Sequence, residues 1–130
     1  MAGVYVDTSA LGRVLLGEPD APAVLRALDD FEEHVASRLL GVELRRLALR
    51  FELLEAASQL LAGIALLPID EGLLERAETL PPATIATLDA IHLATALRLS
   101  KAGFVESVMT YDARLAEGAR AHGLRIISPR

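Results

Sequence analysis

The sequence contains no cysteine and no tryptophan, and aromatic residues make up only 4% of its 130 residues. The absence of cysteine excludes disulfide bonds, thiol redox chemistry and thiolate metal sites. The hydrophobic fraction nevertheless reaches 52%, so the core must be built from aliphatic side chains. Such a surplus of apolar residues in a short chain indicates a further buried surface against another copy or a partner.

Long apolar runs are also missing. No run approaches the roughly 18 residues needed to span a bilayer, and no basic segment leads into an apolar stretch near the N-terminus. We therefore expect no membrane association and a cytoplasmic location. The length is that of a single domain with one core, and no linker, repeat or low-complexity segment divides residues 1–130.

Positive charge is scarce, because the net charge is −5 and Lys101 is the only lysine. Non-specific nucleic-acid binding depends on neutralising phosphates with Lys and Arg, so this balance argues against simple electrostatic adhesion. The remaining cations are arginines, which bind phosphate in bidentate geometry. Four of them lie close together and are candidates for contacting a phosphate backbone, with a solvated helix face as the alternative: Arg38, Arg45, Arg46 and Arg50.

Short apolar strands alternate with helical segments along the chain. Strands are predicted at residues 3–6, 33–36, 64–69, 105–110 and 124–127. Helices are predicted between them at about 8–16, 20–29, 37–62 with a bend, 70–80, 87–101 and 112–122. Helix caps are expected from Thr8 and Ser9, Asp20, Ser37 and Asp70. The alternation predicts an α/β fold with a mainly parallel sheet of about five strands and helices on both faces.

Four acidic residues stand where the local sequence disfavours charge. Asp7 and Asp112 follow the first and fourth apolar strands, whereas Glu43 and Asp89 lie within helical segments rich in Leu and Ala. Ligands of such sheets bind beyond the carboxyl ends of the strands, where Asp7, Asp112 and the start of the Asp89 helix are expected. Two carboxylates ~5 Å apart repel by roughly 3 kcal/mol at an effective dielectric near 20, so a cluster requires a cation or protons.

Each acid also has an ordinary structural interpretation. Asp7 and Asp112 can cap helices, Glu43 can pair with Arg46 or Arg50, and Asp89 can interact with the dipole of its helix.

Three nearby polar residues complete the candidate set. Ser9 and Thr110 can hydrogen-bond the carboxylates, although capping and strand-end roles are equally compatible with their positions. His92 lies one turn beyond Asp89, where a ligand or a general base could act, but it is interpreted as a packed core histidine because the other two histidines complete no ligand spacing.

Four segments together resemble the PIN-domain nucleases, and among them the VapC toxins of toxin–antitoxin modules. They are VYVDTSAL at 4–11, LDAIHLATA at 88–96, TYDARL at 110–115 and GLRIISP at 123–129. The resemblance implies a PIN-like three-layer α/β/α fold and hydrolysis of RNA by an endoribonuclease. It further implies an acidic quartet of Asp7, Glu43, Asp89 and Asp112, assisted by Thr110.

An all-oxygen site of this kind suits Mg²⁺ or Mn²⁺ rather than zinc. The resemblance implies that the ion activates a water for attack on the phosphodiester, with no side-chain nucleophile. Glu52 and Glu55 follow Glu43 in the same helical region, so either of them could supply this acid instead.

The resemblance also implies a homodimer and a small cognate antitoxin that covers the active groove. Two alternatives remain open from the sequence. One is a catalytically inert PIN-like module that binds RNA or protein, and the other is a nuclease that acts on DNA.

Overall fold

Five parallel strands form the centre of the computed structural model, which describes residues 3–130. The strands are β1 (Gly3–Val6), β2 (Glu33–Ser37), β3 (Ala65–Leu67), β4 (Val105–Met109) and β5 (Arg125–Ile127), in the order β3-β2-β1-β4-β5. All four pairings are parallel. The predicted α/β fold with a mainly parallel sheet is confirmed, and the fully apolar β1 lies at its buried centre.

Seven helices surround the sheet within residues 3–130. They are α1 (Thr8–Leu15), α2 (Ala21–Leu28), α3 (Arg38–Arg50), α4 (Leu54–Leu61), α5 (Glu71–Thr79), α6 (Thr87–Lys101) and α7 (Ala113–Ala121). Most side chains of α6 after its first turn are buried, and the helix packs against the sheet, α5 and α7. None of the helices in this range is long and apolar enough to cross a membrane.

The bend predicted before residue 61 is a complete break between α3 and α4. Glu52 adopts a φ of 56°, in the left-handed region that residues other than glycine rarely occupy. The helix therefore stops at Arg50 and restarts at Leu54. The break places Glu52 in an exposed turn and Glu55 on the exposed side of α4, so neither lies where Glu43 does.

The predicted caps at Ser37 and Asp70 are present, because each side chain accepts a hydrogen bond from the first turn of its helix. The predicted cap at Asp20 is wrong. Asp20 precedes α2 but makes no capping hydrogen bond, and its Oδ2 instead accepts a hydrogen bond from Arg13 Nη1 at 3.0 Å. An available guanidinium on α1 competes for the carboxylate, and a charged donor forms the stronger bond.

Candidate active site

Asp7 leaves β1 at the carboxyl edge of the sheet with only 3% of its surface exposed. Its Oδ2 accepts hydrogen bonds from Ser9 N at 3.3 Å, Ser9 Oγ at 2.7 Å and Thr110 Oγ1 at 2.8 Å. Asp7 is thus the cap of α1, and the predicted capping by the hydroxyls of Thr8 and Ser9 is wrong. These donors stabilise a charge that would otherwise be unfavourable to bury.

The hydroxyls of Ser9 and Thr110 are held by the backbone that follows β4. Ser9 Oγ accepts from Tyr111 N at 2.8 Å, and Thr110 Oγ1 accepts from Asp112 N at 3.0 Å. Each hydroxyl has a single proton, and both protons point to Asp7, so the 3.1 Å approach of the two oxygens is a packing contact. The turn after β4 therefore sets the orientation of the Asp7 carboxylate.

Glu43 lies half-buried on α3, and one of its two oxygens is held firmly. Oε1 accepts hydrogen bonds from Thr8 Oγ1 and His92 Nε2, both at 2.6 Å. Burial raises the pKa of Glu43, but the hydrogen bonds from His92 and Thr8 outweigh it and the pKa is lowered. Within residues 3–130, Oε2 accepts no hydrogen bond, and the alternative ion pair with Arg46 or Arg50 is not formed.

His92 lies between Asp7 and Glu43 with 1% of its surface exposed. Its Nε2 is 2.6 Å from Glu43 Oε1 and 3.7 Å from Asp7 Oδ1, and its Nδ1 is 2.7 Å from Tyr5 Oη. Burial lowers the pKa of His92, but the hydrogen bond to Glu43 and the negative charge of Asp7 outweigh it and raise the pKa. The interpretation as a core histidine explains its burial but misses these contacts. Its position one turn after Asp89 indicates that it lies near the acids, but it does not identify Tyr5 or Glu43 as its partners.

Asp89 and Asp112 bring two more carboxylates to the same edge. Asp112 caps α7, because its Oδ1 accepts from Arg114 N at 2.9 Å and Leu115 N at 3.1 Å. Asp89 lies in the first turn of α6. Burial raises the pKa of Asp89 to about 6, and the neighbouring charges of Asp112 and Asp7 contribute to the rise. The charges of Asp112 and Asp7 thus act on Asp89, and His92 joins Asp7 to Glu43, so the four predicted acids lie at the same edge of the sheet.

The carboxylate oxygens at this edge of the sheet fit a hard divalent cation that keeps most of its bound water molecules. Within residues 3–130, no three acidic or imidazole side chains stand in an arrangement that holds a metal ion by itself. One oxygen each of Asp7, Glu43 and Asp112 nevertheless accepts no hydrogen bond from this part of the chain. Because Mg²⁺ keeps several waters and uses one or two protein carboxylates, an open site of this kind fits the residues present.

Two of the four candidate arginines converge on Gly41 of α3. A Cβ at Gly41 would collide with Arg38 Nη1 and contact Arg45 Nη1 at 3.5 Å, so both guanidinium groups fold over this glycine. Arg46 and Arg50 are exposed further along the helix. In the part of the chain that the structure describes, none of the four forms an ion pair.

The comparisons with known proteins agree with this architecture. Residues 4–121 match the sequence profile of the PIN domain family. Ribonuclease VapC47 of Mycobacterium tuberculosis is 39% identical over 97% of this chain and 96% of its own length, and ribonuclease VapC46 is 36% identical over 99% of each.

Two solved structures share the fold at lower identity. A toxin-antitoxin complex from Klebsiella pneumoniae has a TM-score of 0.76 at 19% identity over 98% of each chain. Mycobacterium tuberculosis VapC20, described as a sarcin-ricin loop cleaving toxin, has a TM-score of 0.74 at 20% identity over 97% of this chain and 99% of that one. With a family match over most of its length and relatives at 39% and 36% identity, the chain belongs to the PIN-domain family and to its VapC group.

Proposed function

We propose that the protein is an endoribonuclease that depends on Mg²⁺ or Mn²⁺ and acts as the toxin of a VapBC-type toxin–antitoxin pair. The observation that carries the proposal is the position of the carboxylates at the carboxyl edge of the sheet, where His92 Nε2 lies 2.6 Å from Glu43 and 3.7 Å from Asp7 and where Asp112 caps the neighbouring helix. The names of the relatives, both ribonucleases, support RNA as the substrate.

Four carboxylates repel an RNA phosphodiester unless positive charge stands between them. When bound, a divalent cation supplies that charge and polarises the attacking water and the phosphate. Asp7 and Glu43 suit the role of ligands, because protein donors hold one oxygen of each and leave the other without a donor. Asp89 and Asp112 are the other two proposed ligands, and they would reach the ion through the waters that Mg²⁺ retains. Ser9 and Thr110 direct their protons to Asp7 and therefore position it rather than act as nucleophiles.

The arginines of α3 are proposed to hold the RNA backbone beside this cleft. Arg38 is the first residue of α3, where a cation is unfavourable to the helix dipole unless an anion binds nearby. Two guanidinium groups over Gly41 without carboxylate partners in the described residues offer such an anion several donors. Arg46 and Arg50 would contact phosphates further along the strand.

The protein partners are proposed to be a small cognate antitoxin and a second copy of the chain in the cytoplasm. Three large apolar side chains near the junction of α3 and α4 are 43–55% exposed, namely Leu49, Phe51 and Leu54, and Val42 in the first half of α3 is 52% exposed. A mainly apolar cavity of about 620 Å³ lies elsewhere, between α5 and the start of α6. Exposed apolar surfaces of this kind mark contacts with other proteins.

The test is incubation of the purified protein with total RNA, with Mg²⁺ or with EDTA, followed by mapping of the cleaved ends. We expect cleavage that requires Mg²⁺ and is lost in Asp7→Asn. Glu106→Gln is the matched control, because Glu106 is an exposed carboxylate on β4, outside the cleft. Equal cleavage by Asp7→Asn and the wild type would refute the assignment.

A catalytically inert PIN-like module is the second candidate, and it is favoured by the lack of a ready-made group of three ligands within residues 3–130. Calorimetric titration with Mn²⁺ separates the two functions. Absence of binding at millimolar Mn²⁺ would favour the inert module.

A further inference from the structure

We propose that His92 is a positioning residue for Glu43, held in place by a buried hydrogen-bond chain that starts at the backbone of Ser37 and passes through Tyr5. The inference rests on the proposed function, because it assigns His92 the task of orienting a carboxylate that binds the cation. It extends that function to two residues, Tyr5 and His92, that carry no negative charge.

The chain of hydrogen bonds is continuous and buried. Ser37 N donates to Tyr5 Oη at 3.0 Å, Tyr5 Oη is 2.7 Å from His92 Nδ1, and His92 Nε2 is 2.6 Å from Glu43 Oε1. Tyr5 and Ser37 are fully buried and His92 is 1% exposed. The chain joins β1, the end of β2, α6 and α3, so the rigid centre of the fold determines where the imidazole lies.

The direction of the protons follows from the two ends of the chain. An ionised Glu43 can only accept hydrogen bonds, so Nε2 of His92 must carry a proton. In the neutral ring Nδ1 is then the acceptor, and the Tyr5 hydroxyl donates to it. Ser37 N already donates to the Tyr5 oxygen, so the proton of this hydroxyl is free to point to Nδ1. The fold therefore selects the tautomer of His92 that donates to Glu43.

The contact with Glu43 has a specific consequence for the site. The donors from His92 and Thr8 both reach Oε1, and no hydrogen bond within residues 3–130 reaches Oε2. The same Nε2–H lies 3.7 Å from Asp7 Oδ1, where its positive end offsets the repulsion between the two carboxylates. Without His92, only the Thr8 hydroxyl would hold the half-buried Glu43 side chain.

Four variants distinguish positioning from simple packing. Tyr5→Phe removes only the hydroxyl, His92→Phe keeps a ring but removes both nitrogens, and His92→Gln keeps an amide donor that can reach Glu43. Val24→Ala is the control, because Val24 is fully buried on α2 and its truncation destabilises the core without altering the hydrogen-bond chain.

The measurement is Mn²⁺ affinity by calorimetry, at a temperature well below the melting temperature of every variant. We expect His92→Phe to weaken Mn²⁺ binding about 10-fold, as loss of groups that orient metal ligands usually does. Tyr5→Phe should weaken it less, His92→Gln should restore part of the affinity, and Val24→Ala should melt earlier with unchanged affinity. The double variant Tyr5→Phe, His92→Phe should bind Mn²⁺ as tightly as His92→Phe alone, because Tyr5 acts on Glu43 only through His92.

A second readout needs no metal. Nitrogen NMR of the wild-type imidazoles in EDTA at alkaline pH should show His92 with its proton on Nε2, and the opposite tautomer would overturn the proposal. If the wild type binds Mn²⁺ and His92→Phe binds it equally tightly, the positioning role is overturned but the proposed function is not. A wild-type protein that binds no Mn²⁺ would instead overturn the proposed function together with this inference.

Discussion

At the scale of single residues, the partly buried carboxyl of Asp89 makes the stability of the protein depend on pH. Burial and the charges of Asp112 and Asp7 raise its pKa to about 6, whereas an unfolded aspartate titrates near 3.9. The native state therefore binds this proton more tightly than the unfolded state does. Its contribution to stability is lost as the pH rises from about 4 through about 6, and above that range the charged Asp89 destabilises the native state.

Asp89→Asn should therefore stabilise the protein at pH 7.5 in EDTA while abolishing RNA cleavage. The gain is on the order of 1 kcal/mol once the shift is discounted for solvent screening of a half-exposed group. The gain should shrink at pH 4, where the wild-type carboxyl is largely protonated. Thermal unfolding at both pH values measures it, with the exposed Asp30→Asn as control. A lower melting temperature for Asp89→Asn at pH 7.5 would contradict this account.

Thr110 offers a second test at this scale, because its hydroxyl joins Asp7 to the backbone of Asp112. Thr110→Val keeps the shape of the side chain but leaves both groups without this partner. We expect about 1–3 kcal/mol lower stability in urea unfolding and at least a 10-fold slower cleavage.

Ser107→Ala is the control for Thr110→Val, because the buried Ser107 Oγ has no hydrogen-bond partner in the described chain. Its removal should leave the cleavage rate unchanged. Wild-type cleavage by Thr110→Val would show that the hydroxyl does not orient Asp7.

At the scale of secondary-structure elements, a substitution at Gly41, inside α3, should change helix stability and RNA binding in opposite directions. Gly41→Ala should stabilise the helix by about 0.5–1 kcal/mol. The added Cβ must displace the Arg38 guanidinium, so the same substitution should weaken RNA binding.

The measurement is RNA affinity as a function of salt concentration, using the Asp7→Asn background to prevent cleavage. Gly41→Ala and Arg38→Gln should both weaken binding and reduce the salt dependence by about one phosphate contact. Arg120→Gln removes an exposed arginine from α7 and should have little effect. Unchanged RNA affinity in Gly41→Ala would show that the two arginines over Gly41 do not bind the RNA.

At the scale of the whole molecule, the exposed apolar side chains allow a test of the proposed contacts with other proteins. Phe51 and Leu49 lie on the surface near the junction of α3 and α4, with 55% and 50% exposure, whereas Phe104 is 52% exposed elsewhere. The double variant Phe51→Ser, Leu49→Ser should reduce self-association or antitoxin capture. Its stability should change little, because a surface substitution usually shifts the free energy of unfolding by no more than roughly 0.5 kcal/mol. Light scattering and co-purification measure this, and an equal effect of Phe104→Ser would count against a specific interface.

The sequence by itself determined the elements and their order, because strand and helix signals depend on neighbouring residues. The apolar run at Gly3–Val6 and the alternation with helices predicted the parallel sheet, which the structure confirms. The caps at Ser37 and Asp70 were also predictable, because a cap bonds to the next few residues.

Only the tertiary structure decided the contacts that connect distant parts of the chain. Arg13 draws Asp20 away from its predicted cap, and the break at Glu52 leaves Glu43 as the acid in the cleft. His92 contacts Tyr5, 87 residues away, and Glu43, 49 residues away. No local pattern encodes these bonds, because they form only when the sheet and the helices pack together and exclude water from the groups between them.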